Sequence, residues 1–121
     1  MPLVQIRRKP SRISDGVITA ITETLPANAA QALTCKEGGV LAPKDIMIEV
    51  DDLGPLSVNN KDINIRVFAH DYPARRGDNL ETLDAIRKQI AEEVLKHLPD
   101  GVSWYVWVIL APTSYGSDTE G

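Results

Sequence analysis

The stretch "VSWYVWVIL" near the C-terminus is apolar at both sets of alternating positions: Trp104, Val106, Val108 and Leu110 on one, Tyr105, Trp107 and Ile109 on the other. Side chains of a strand alternate between the two faces of its sheet, so this strand needs cover on both. A layer of helices on one side supplies half of that cover. The other half has to come from a further surface, and another copy of the chain is the simplest source. The constraint is therefore a sheet with helices on one face and an association surface on the other.

The rest of the chain fits that constraint as two similar halves. Residues 2–8 place Leu3, Val4 and Ile6 before a basic run and read as a strand. The segment "SRISDGVITAITETLP" then sets Val17, Ile18, Ile21 and Leu25 at helical spacing, with Ser14 or Ser11 as its cap. Pro26 is expected to end or kink that helix, with Ala29, Ala30, Ala32 and Leu33 available for a further turn. "IMIEV" is a second short strand, and "DDLGPLSVNNKD" is a polar connector. In "INIRVFAH", Ile63, Ile65, Val67 and Ala69 alternate with Asn64, Arg66, Phe68 and His70. The loop "DYPARRGD" leads to a helix with an apolar stripe of Leu83, Ile86, Ile90, Val94 and Leu98, and Asp78 with Glu81 has capping-box spacing. Pro99, Asp100 and Gly101 stop it.

The order is β-α-β followed by β-α-β, an α/β (α+β) sandwich with a four-stranded mixed sheet and two helices on one face. One domain over residues 1–121 is expected, with pseudo-repeats at about 2–52 and 62–111 and a short tail at 112–121. The repeat is one of layout and of a single charged position, because the loop between first strand and helix carries arginine in each half, Arg12 in "KPSR" and Arg75–Arg76 in "PARR".

Charge narrows the function. A net charge of −4 argues against a nucleic-acid binder that relies on a basic face, yet Arg7, Arg8, Lys9 and Arg12 cluster, as do Arg75 and Arg76. Local cationic patches on an acidic chain suit small anionic ligands. Cys35 is the one cysteine, which excludes an internal disulfide and fits a reducing cytoplasm. No segment has the length and apolarity of a membrane span or a signal peptide. His70, His97 and Cys35 show no zinc spacing, so neither a metal nor another cofactor is expected. There is no phosphate-cradling glycine loop and no nucleophile triad motif.

"MPLVQI" raises a different chemistry. Removal of Met1 would leave Pro2 with a free secondary amine, and a terminal amine titrates near about 7.7–8.0, well below lysine. An apolar pocket and neighbouring guanidinium groups both disfavour its charged form, so it can take a proton from carbon next to a carbonyl or return one as an acid. Arginine complements this role, since its planar fork holds a carboxylate through two charge-assisted bonds. With Met1 retained, the nitrogen is an amide without useful basicity. The same arginines are then ordinary solvated loop residues, and the chain reads as a noncatalytic oligomeric binding module.

The Met-Pro start, the doubled β-α-β order and the arginines before each helix resemble the tautomerase superfamily. The resemblance covers nearly the whole chain in layout and a few positions in identity. It implies a homo-oligomer, a trimer, that uses Pro2 as catalytic base or acid in keto–enol tautomerisation or isomerisation of a small carboxylate-bearing substrate. It further implies that Arg12, Arg75 and Arg76 bind that substrate, while Asp45, in "APKD" before the second strand, matches an aspartate that assists the proline in the superfamily's decarboxylases. His70, at a strand end beside "PARR", is a further candidate to assist. A hydratase, decarboxylase or dehalogenase on the same scaffold is the alternative chemistry. "IMIEV" departs from the pattern by lacking the arginine that 4-oxalocrotonate tautomerase carries in its second strand.

Overall fold

The computed structural model describes residues 2–118. Four strands, β1 (Leu3–Arg8), β2 (Met47–Asp52), β3 (Ile63–His70) and β4 (Trp104–Ala111), form one sheet in the order β2-β1-β3-β4. β1 pairs parallel with β2 and antiparallel with β3, and β3 pairs parallel with β4. Each parallel pair is joined through a helix, α1 (Asp15–Leu33) in the first half and α3 (Glu81–Leu95) in the second. The result is an α+β sandwich with a four-stranded mixed sheet, as the repeated pattern predicts.

Alternation decides which face is buried. Val4 and Ile6 of β1, Ile63, Ile65, Val67 and Ala69 of β3 and Val106 of β4 point to one side and join Ile18, Ile21, Leu25, Ile86, Ile90 and Val94 of the helices in one core. The other face carries Leu3, Gln5, Arg7, Met47, Glu49, Asn64, Arg66, Phe68, Tyr105, Trp107 and Ile109, and no helix among the described residues covers it. Arg66 donates to the Tyr105 hydroxyl at 3.0 Å and lies 5.5 Å from the centre of the Trp107 ring, which is still 55% exposed.

Local features settle the open choices of the sequence reading and depart from it at "PARR" and at the start of α3. α1 runs through Pro26 to Leu33, because Leu25, Ala29, Ala30 and Leu33 all reach the core and their burial outweighs one lost helical hydrogen bond. Ser14, rather than Ser11, caps it by accepting the Val17 N–H. "PARR" is a turn of helix, α2 (Pro73–Arg76), started by proline at its first position and stopped by Gly77 at a φ of 75°, a conformation that favours glycine. The expected capping box is half formed: Glu81 accepts the N–H groups of Asp78 and Asn79, but α3 starts at Glu81 behind Leu80, whose φ of 62° is left-handed.

Candidate active site

Pro2 stands one residue ahead of the Leu3–Phe68 pair, so the start of β1 lies beside the exit of β3. It is buried, and its carbonyl oxygen accepts the Met47 N–H at 3.0 Å, which ties it to the head of β2. Beyond β3 the chain turns through Tyr72 into α2. The loop after α1 comes back over this turn, where the Glu37 carboxylate accepts the Ala74 N–H at 3.1 Å. Between these pieces is a cavity of about 90 Å³ lined by Pro2, Gly38, Leu41, His70, Tyr72 and Arg75. It is much smaller than the roughly 300–1,000 Å³ of sites for drug-sized ligands and suits the reacting end of a small acid.

Arg75 is the unusual member. It is only 4% exposed. Its Nε donates to the Leu33 carbonyl at 2.9 Å, its Nη1 donates to the His70 carbonyl at 3.0 Å, and its guanidinium sits 5.0 Å from the centre of the Tyr72 ring. Those two bonds engage two of five N–H donors. Among the described residues no carboxylate pairs with it. A buried cation without a counter-charge is expensive, so the site is electrostatically prepared for an anion.

His70 contacts the Tyr72 ring at 4.5 Å between ring centres, and its Nδ1 lies 3.1 Å from the Thr113 N–H, which donates to it, and 2.9 Å from the Thr113 hydroxyl.

The other sequence candidates fall outside the cavity. Arg76, next in line to Arg75 but turned by about 100° on a helical turn, pairs with Asp71 at 2.6 Å and is half exposed. Asp45 ends a short 3₁₀ turn ahead of β2 and accepts the Ala42 N–H at 2.7 Å. Arg12 is brought together with neither Pro2 nor Arg75. It follows the far end of β1, about 20 Å along the strand, where it reaches Asp62 at 3.4 Å and the Gly101 carbonyl at 3.2 Å. The Ser103 N–H, followed by Arg12 and Lys9, holds the Asp62 carboxyl below the ordinary aspartate range. Arg12 thus has its anion within the chain.

Sequence reasoning missed Gly38, Leu41 and Tyr72. Tyr72 had a usable signal, an aromatic directly before Pro-Ala-Arg-Arg. Gly38 and Leu41 had none, because only the tertiary return of their loop brings them to Pro2.

No sequence family and no curated protein matches the chain by sequence. Solved structures do match by shape. A malonate semialdehyde decarboxylase inhibited by 3-bromopropiolate superposes with a TM-score of 0.65 at 16% identity, covering 97% of this chain and 91% of its own. A fused 4-OT wild-type symmetric trimer gives 0.65 at 15% identity over 97% and 92% of the two chains. The fold is that of the tautomerase superfamily. A macrophage migration inhibitory factor-like protein from Entamoeba histolytica shares the tautomerase fold at a TM-score of 0.62 and 10% identity, over 97% of this chain and 95% of its own. In the tautomerase fold of this chain, the start of β1 and the β3 exit meet at the cavity that holds Pro2 and Arg75.

Proposed function

We propose that this protein is an isomerase of the tautomerase type, acting on a small carboxylate-bearing substrate through the free amine of Pro2 after Met1 is removed. The observation that carries this reading is Arg75, a buried guanidinium without an anionic partner among the described residues, lining the same cavity as Pro2. The three N–H groups of Arg75 left over from Leu33 and His70 hold the substrate carboxylate. The amine takes a proton from the carbon next to the carbonyl and delivers it to the other end of the enol system, so that one group moves the proton and the other fixes the acid. The engagement of Asp45 with its own turn favours proton transfer over hydration, which requires a group to activate water in the cavity.

The working form we propose is a homotrimer built on the uncovered sheet face, where Leu3, Met47, Phe68 and Ile109 form one apolar row and Trp107 stands exposed. The trimeric fused 4-OT structures support this reading.

The test begins with the intact mass of untagged protein, which should lack Met1. Ketonisation of a 2-hydroxy-2-enoic acid, followed by loss of enol absorbance, should then depend on Pro2. Pro2→Ala should lower kcat/KM by at least about 100-fold. Unchanged turnover in Pro2→Ala, or a retained Met1 in active protein, overturns the assignment.

A further inference from the structure

We propose that His70 donates a hydrogen bond from Nε2 to the carbonyl or enol oxygen of the substrate, and that Thr113 positions it by fixing which ring nitrogen carries the proton. This rests on the reading of the Pro2 cavity as the reaction site and adds to it the group that stabilises the developing oxyanion.

The argument starts from donors and acceptors. A backbone N–H can only donate, and the Thr113 N–H points at His70 Nδ1 from 3.1 Å. An Nδ1 carrying hydrogen would meet it N–H to N–H. An Nδ1 lone pair instead receives the amide, and the Thr113 hydroxyl lies 2.9 Å from the same atom. The fixed N–H decides the arrangement, because Nδ1 must offer its one lone pair to it, and in the neutral ring that leaves the hydrogen on Nε2. Among the described residues, Nε2 takes no protein partner, while His70 lines the cavity beside Pro2 and Arg75. The ring is held in place by its contact with Tyr72, and its own carbonyl is bound by Arg75 Nη1 and the Tyr72 N–H.

Those positions divide the substrate. A 2-oxo or enol acid carries a carboxylate next to an oxygen that gains negative charge as the proton leaves the neighbouring carbon. Arg75 supplies fixed charge for the first, His70 a fixed N–H for the second, and Pro2 the base. A donor set in advance of the reaction needs no reorganisation when the charge appears. The segment after β4, through Thr113, thereby becomes part of the catalytic apparatus although it contributes no side chain to the cavity lining.

Long-range proton–nitrogen correlation spectra of the ¹⁵N-labelled full chain read the tautomer directly, with His97→Gln used to assign the two imidazoles. His70 should show an unprotonated Nδ1 and a protonated Nε2, and pyruvate as probe should shift the Nε2 signal. His70→Gln, which places an amide N–H near the Nε2 position, should keep kcat/KM within about tenfold, while His70→Leu should lose about 100-fold, mainly in kcat. Thr113→Ala keeps the backbone N–H and should leave the tautomer unchanged, whereas Thr113→Pro removes that donor and should release Nδ1–H and lower kcat. An Nδ1–H tautomer in the wild-type protein overturns the proposal whatever the activity. So does full kcat in a folded His70→Leu variant whose turnover still depends on Pro2. If Pro2→Ala is fully active, the reading of the site fails by itself, and the tautomer spectrum still decides the role of Thr113.

Discussion

Gly38→Ala is the smallest change that tests the cavity wall. A methyl group at this position would lie 2.9 Å from Tyr72 Cε2, and 3.3 Å from both Tyr72 Cδ2 and Cys35 Sγ. Gly38 has no positive φ, so the backbone tolerates alanine and the collision acts alone. Carbon atoms pack best at about 3.5–4.0 Å, so the Tyr72 ring must retreat by at least about 0.6 Å. It has little freedom to do so, with His70 against it at 4.5 Å and the Arg75 guanidinium at 5.0 Å. Overpacking of this kind destabilises by about 1–3 kcal/mol, which for a chain of this size lowers Tm by roughly 4–12 °C. Because the displaced ring packs against His70 and Arg75, the groups proposed to bind substrate, kcat/KM for the enol acid should fall by about 100-fold, the usual effect of misplacement approaching 1 Å. A double-mutant cycle isolates the cause. In a Tyr72→Ala background the same Gly38→Ala change should be close to neutral, giving a coupling of at least about 1 kcal/mol in thermal or urea unfolding. A Gly38→Ala protein with wild-type Tm and turnover would refute the reasoning.

Three further outcomes follow from the geometry. Glu37→Ala removes the acceptor that ties the post-α1 loop to Ala74; KM for the enol acid should rise several-fold with kcat nearly unchanged, and stability should fall by no more than about 1 kcal/mol. Asp62→Asn tests the far end of the sheet: the folded-state pKa of Asp62 is depressed, so its stabilising contribution is full above the unfolded aspartate pKa and disappears as pH falls through the lower folded value. Urea midpoints of wild type and Asp62→Asn should therefore differ at neutral pH and converge in strongly acidic solution, and a gap independent of pH would contradict the assignment. Trp107→Asp places a charge on the uncovered sheet face; light scattering should show the wild type as a trimer and the variant as smaller species, and a monomeric wild type would remove the association surface from the argument.

Much of the scaffold was legible because its periods are clean. β3 has the bounds its alternation predicts, Ile63–His70, and the stripe of α3 supplies Ile86, Ile90 and Val94 to the core. The continuation of α1 beyond Pro26 was legible only as one of two options, since the missing N–H is a local signal whereas the burial of Ala29, Ala30 and Leu33 depends on a sheet formed by distant residues. The turn of helix at "PARR" has a local mark, proline at its first position, but four residues are too few to show helical periodicity.

The two arginine loops show where sequence stops discriminating between site and surface. In sequence, Arg12 and the pair Arg75–Arg76 occupy matching places, each after the first strand of a half. What separates them is the supply of counter-charge. Arg12 meets Asp62, a carboxylate further held by the Ser103 N–H, and Arg76 meets Asp71, so both are neutralised at solvent-accessible positions. Arg75 is drawn inward by the carbonyls of Leu33 and His70, which satisfy donors but contribute no net charge. Leu33 is 42 residues away in the chain, so no spacing rule within "PARR" could have chosen Arg75 over its neighbour. The choice is made by the end of α1, whose Leu33 carbonyl meets the turn of helix that follows β3. Leaving the buried Arg75 guanidinium without an anion among the described residues lowers the stability of the unliganded protein, and a carboxylate-bearing ligand in the cavity would restore the balance that Asp62 provides for Arg12.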